Sequence, residues 1–156
     1  MTLVQELGIV VTDLINNAGI STPDHPNEKV GSITRSEMME VFNTNVASVA
    51  AITTASGVLD KEGGKVVNIS SGMGSISITK ATSTYAPSYR CSKAALNMLT
   101  TCFAKDFPGT SFATVHPGWV QTDMGGSGGG PLILTWRSRQ GGLSRYLSYF
   151  KAFIDQ

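Results

Sequence analysis

At 156 residues with a formal net charge of +1, the chain is one domain long and carries no bulk charge to hold nucleic acid or a lipid surface. No apolar stretch approaches the roughly 20 residues of a membrane span, and Glu6 and Asp13 argue against a signal peptide. Cys91 and Cys102 fall on one predicted helix and read as reduced thiols of a cytoplasmic protein, while His25 and His116 stand apart and predict no metal site.

Taken in chain order, Val10 to Ile15 is an apolar run that stops at Asn16-Asn17-Ala18-Gly19, and it predicts a buried parallel strand ending in a turn. Ser21 to Gly31 reads as a loop. Thr34-Arg35-Ser36-Glu37 is a capping box. It opens a helix whose apolar stripe is Met38, Val41, Phe42, Val46 and Val49. Asn45 lies on that stripe, one helical repeat from both Val41 and Val49. Lys65 to Ser70 predicts a second buried strand, followed by Ser71 and the glycine-containing stretch Gly72 to Ile76. A second helix is expected from about Pro87 to Asp106, stopped by Pro108-Gly109. Ser111 to Val115 is a third strand, closed by His116-Pro117-Gly118.

Strands alternating with helices at this spacing predict an α/β fold, a Rossmann-like parallel sheet with crossover helices. In such sheets ligands sit beyond the C-terminal ends of the strands. Asn17, Ser71 and Pro117-Gly118 all fall at those ends. Tyr89 and Lys93 stand four apart at the start of the second helix, so they share a face. An ammonium there is expected to draw the phenol's pKa down and make it a usable proton donor. Taken alone, each of these features has an ordinary structural reading. Tyr89 and Lys93 could be a solvated surface pair, Asn45 a local backbone bonder, Ser71 a cap, and Asn17-Ala18-Gly19 a turn. Tyr85 is a rival tyrosine, but Tyr89 and not a lysine stands four residues on.

Together the motifs resemble the short-chain dehydrogenase/reductase family. The resemblance rests on Asn16-Asn17-Ala18-Gly19, Asn45, Asn68-Ile69-Ser70-Ser71, Tyr89 with Lys93, and Pro117 to Thr122, in order over residues 10–126. His116 to Met124 and the long gap between Ser71 and Tyr89 are similar to its carbonyl-reductase-like, sniffer-like branch. The resemblance implies an oxidoreductase that moves a hydride between NADP(H), or NAD(H), and a small carbonyl or alcohol substrate. It implies Tyr89 as general acid, with Lys93 tuning it and holding the nicotinamide ribose. Ser71 would bind the substrate oxygen, and Asn45 would anchor a proton-relay water. Asn17, Ala18 and Gly19 would line the adenosine side of the cofactor, and Val120 and Thr122 would meet the carboxamide.

Two departures from the family pattern shape the expectations. No glycine-rich Thr-Gly-x-x-x-Gly-x-Gly turn precedes Asn16, so the fold is expected to be incomplete, N-terminally truncated, with residues 1–126 its catalytic part. Residues 127–156 read as an atypical tail, disordered, or frameshifted or alternatively spliced from about Leu132. Arg137, Arg139, Arg145 and Lys151 are its basic residues. The alternative to an active reductase is a silent fragment that associates with itself or a full-length relative through its two helices.

Overall fold

The computed structural model describes residues 6–22, 29–120 and 124. Among the described residues three parallel strands, β1 (Asp13–Asn16), β2 (Lys65–Ile69) and β3 (Ser111–Val115), form one sheet in that order. Asp13 pairs with Lys65 and Asn16 with Asn68; Lys65 pairs with Ser111 and Ile69 with Val115. The α/β architecture expected from the alternation of elements is therefore present. The central strand β2 buries Val66 and Asn68 on one face.

β1 departs from its expected burial. It begins three residues later than the apolar run, and Ile9, Val10 and Ile15 are 54%, 59% and 38% exposed. The reason is its position at the sheet edge, where β2 covers it on one side only.

The first predicted helix is one rod with an irregular middle. Thr34 caps α1 (Arg35–Phe42), accepting from the Glu37 amide, and Glu37 reaches back to the Thr34 amide. Asn43–Ala47 is a π-helical turn, and α2 (Ser48–Ala55) follows it. The Ser48 amide bonds back to the Asn43 carbonyl. Val41 and Val49 are buried as the stripe predicts, and Asn45 is wholly buried between them. Widened turns of this kind recur at functional sites because they re-aim one side chain.

A short helix α3 (Ile76–Ala81), capped by Ser75, lies between the glycine-containing stretch and the second predicted helix. The long helix α4 (Pro87–Asp106) spans the expected residues. Its buried face carries Ser88, Ser92, Leu96 and Thr100, mostly small side chains that admit close neighbours. It packs against α1, the π-turn, β3 and the 3-10 turn Gly72–Gly74. Near its C-terminal end Phe103 stacks on Phe112 of β3 at 5.8 Å.

A buried chain of amides and hydroxyls crosses the sheet and ties it to the helices. Asn16 Nδ2 donates to Thr53 Oγ1 at 3.2 Å and to Asn68 Oδ1 at 2.8 Å. Asn68 Nδ2 donates to Thr100 Oγ1 at 2.8 Å, and Thr100 donates to the Leu96 carbonyl at 2.7 Å. Every link lies away from water, so an orphaned group bears its full desolvation cost. Thr100→Val removes the acceptor of Asn68 at nearly constant volume. It is expected to cost about 1–2 kcal/mol in urea unfolding, with an unchanged m-value.

Candidate functional site

Three chain segments meet at the C-terminal ends of the strands. Ser71 follows β2 and caps the Gly72–Gly74 turn, its hydroxyl accepting from the Met73 amide at 3.1 Å. The glycines of that turn permit two close approaches. A Cβ at Gly74 would lie 2.7 Å from the Lys93 carbonyl carbon and 2.9 Å from the Ala94 nitrogen, so the turn rests directly on the backbone of α4. A Cβ at Gly72 would lie 3.3 Å from His116 Nε2. The stretch read as a glycine-rich loop is thus a spacer that sets the distance from Ser71 to the helix. Gly74→Ala should force the turn off α4, costing about 1–3 kcal/mol in thermal or urea unfolding. It should also weaken the Ser71–Tyr89 contact, seen as a shift in the Tyr89 phenol titration.

Tyr89 and Lys93 share a face of α4, as their spacing predicts. Lys93 Nζ lies 5.5 Å from the Tyr89 ring centroid. Ser71 hydrogen-bonds the Tyr89 side chain. Lys93 is buried, and Nζ donates to the Ile69 carbonyl at 2.8 Å. The expected lowering of the phenol's pKa is not what this environment produces. Burial raises it, the Ser71 hydrogen bond opposes the rise, and Tyr85 adds to it. The ammonium sits over the ring and points to Ile69, while desolvation lowers its own pKa to about 8. At neutral pH Tyr89 is therefore protonated, the form a general acid requires.

Asn45 does more than a local backbone bond. Oδ1 accepts from the Ile20 amide at 2.8 Å, and Nδ2 donates to the Ile20 carbonyl at 2.8 Å and to Ser92 Oγ at 3.0 Å. It clamps the segment after β1 to α4, one residue from Lys93. Gly19 lies inside this clamp. A Cβ there would stand 3.3 Å from both Asn45 Oδ1 and Lys93 Nζ. Asn17 and Ala18, just before it, are exposed. Val120 is half-buried beyond β3, and Thr122 lies outside the described residues. His116, which sequence reasoning set aside, borders the Ser71 turn, with Nδ1 buried and unbonded and burial lowering its pKa. Its position straight after a strand end was the available signal. Among the described residues no group of His, Cys, Asp and Glu could hold a metal, and no helix is long and apolar enough to cross a membrane.

A parallel α/β sheet with a serine, a tyrosine and its helical lysine gathered at the strand ends defines a Rossmann-like class of proteins. The short chain dehydrogenase family model matches residues 2–129, and the chain belongs to that family. C-signal of Myxococcus xanthus is 38% identical over 117 residues, covering 72% of this chain and 68% of that protein. An NADPH-bound carbonyl reductase from chicken fatty liver is 35% identical with a TM-score of 0.69, over 80% of this chain and 53% of that one. The carbonyl reductase Sniffer of D. melanogaster is 30% identical with a TM-score of 0.66, over 77% and 52%. The chain thus spans about half the length of these solved reductases.

Proposed function

We propose that the chain carries the catalytic part of an NAD(P)H-dependent oxidoreductase that reduces a small carbonyl compound, with residues 1–126 as that part. The observation that carries the reading is the meeting of Ser71, Tyr89 and Lys93 beside the Asn45 clamp. Gly19 lets the Asn17–Gly19 segment approach Lys93 closely, since a Cβ there would crowd Asn45 Oδ1 and Lys93 Nζ at 3.3 Å, and so brings that segment beside the lysine proposed to hold the cofactor. Lys93 would hold the ribose there, and Gly19, Asn17, Ala18, Val120 and Thr122 would line the cofactor's path. NADP(H) is favoured over NAD(H) by likeness to the NADPH-bound carbonyl reductase.

When bound, the reduced nicotinamide supplies the hydride for the carbonyl carbon. Tyr89 Oη donates a proton to the carbonyl oxygen, so the alcohol leaves neutral. Ser71 Oγ donates a hydrogen bond to that oxygen as negative charge grows on it. The phenolate left on Tyr89 would lie near the Lys93 ammonium, which sits 5.5 Å from its ring centroid. Asn45 fixes Ile20 and Ser92, and so the geometry of α4 around Lys93. Titrating the full chain with NADPH, then following NADPH loss with an aromatic aldehyde, tests the reading. Absence of both binding and turnover overturns it.

A second reading, action by association, is favoured by the exposed Ile52 on α2 and Met98 on α4, at 51% and 65% exposure. A mass above the monomer in light scattering, without NADPH binding, would select it.

A further inference from the structure

Arg90 follows Tyr89 and is 8% exposed, yet nothing in the proposed chemistry uses it. Its Nε donates to the Tyr85 carbonyl at 2.7 Å, and Nη1 donates to Thr79 Oγ1 at 3.0 Å. The guanidinium carbon lies 5.2 Å from the Tyr85 ring centroid, a cation over an aromatic face. Among the described residues it has no carboxylate partner. One planar fork therefore serves a carbonyl, a hydroxyl and a ring at once, in a fixed spacing that an ammonium's single nitrogen would not reproduce.

What the fork holds is the segment from Ser75 to Ala86. α3 begins it, Tyr85 stands near its end, and Ala86 closes it with φ of 52° and ψ of 54°. A left-handed alanine before Pro87 persists only where its surroundings hold it. Arg90 supplies that hold through Nε to the Tyr85 carbonyl, next to the helical bond from its backbone amide to the Ala86 carbonyl at 3.0 Å. At the other side the Tyr85 hydroxyl reaches Met73 Sδ at 3.8 Å, in the turn that follows Ser71. The segment is tied at both sides of the Ser71–Tyr89 pair.

We infer that Arg90 is a positioning residue: it pins residues 75–86 as a strap over the catalytic edge and sets Tyr85 as a wall of the substrate site. The strap presents Ile76, Ile78 and Tyr85 to solvent, so the wall it builds is apolar and aromatic. That the wall faces a carbonyl substrate rests on the function proposed above; that Arg90 orders the strap does not.

Amide hydrogen exchange on the full chain, read by mass spectrometry, separates the two. In Arg90→Ala, amides of residues 76–86 should exchange about tenfold faster or more, with β2 and β3 unchanged. Arg90→Lys keeps the charge but not the fork and should give a smaller rise in the same peptide; it decides the matter if the alanine variant does not fold. Unaltered strap exchange in Arg90→Lys and any folded Arg90→Ala overturns the assignment, as does an equal rise in β2 and β3. In turnover of an aromatic aldehyde, Arg90→Lys should raise KM about tenfold and leave kcat within about threefold. A kcat loss with unchanged KM would contradict the wall role. A wild-type chain without turnover counts against the proposed function alone, and exchange then decides Arg90.

Discussion

Tyr89→Phe is expected to lower kcat for NADPH-dependent carbonyl reduction by about 10²–10⁴-fold, the usual worth of a positioned general acid, with KM near its wild-type value. The variant removes one oxygen from a half-buried ring and leaves the ring beneath Lys93. Binding is therefore preserved while the proton source is lost. Ser71→Ala should give a smaller loss, because the substrate oxygen loses one hydrogen bond while Tyr89 still protonates it. The double variant should fall little below Tyr89→Phe alone, since Ser71 acts partly through Tyr89. Equal turnover by wild type and Tyr89→Phe would remove the phenol from the reaction. Stopped-flow or steady-state NADPH absorbance measures each rate directly.

The parts of this site that were legible in the sequence are those fixed by periodicity. Tyr89 and Lys93 share a helical face because four residues nearly close one turn, and the strand ends bring Ser71 to them. Periodicity also placed Asn45 on the buried stripe, but not its partners. Those depend on the π-turn, which re-aims the side chain and leaves no pattern in a 3.6-residue repeat. The direction of the Tyr89 shift was hidden for a related reason. Spacing reports that a lysine is near, whereas desolvation and the aim of its ammonium toward Ile69 decide what it does. Arg90 reads as a solvated helix charge in any linear scan. Only the fold of 75–86 back over α4 buries it. Asn16 and Asn68 sat within recognised motifs, yet their link through the sheet interior needs the register of β1 on β2. β1 lies at the sheet edge, as expected of the strand in a fold lacking the family's first strand, and an apolar run by itself reports affinity for a core and not whether cover lies on both sides.

Lys93 provides the second large effect, and it pulls stability and chemistry in opposite directions. Burial lowers its pKa from 10.5 to about 8. The unfolded chain thus binds a proton that the folded chain gives up between those values, and stability rises with pH across that window. Below about pH 8 the ammonium is carried in both states, and the folded protein bears the whole penalty of about 3 kcal/mol. Above about pH 10.5 the penalty is gone. Lys93→Met removes the titrating group and keeps the stem. The stability difference between the two chains is expected to move by about 2 kcal/mol in favour of wild type between pH 7.5 and 9.5 in paired urea unfolding, where every other group cancels. A pH-independent difference between the two chains would show that Lys93 titrates normally. The proposed turnover should run the other way, because a positive charge beside the Tyr89 ring favours the phenolate formed when the proton leaves. Its kcat is expected to fall with an apparent pKa near 8 as Lys93 loses its proton. A buried ammonium aimed at the end of β2, whose charged form burial disfavours, is what a site kept for chemistry would retain.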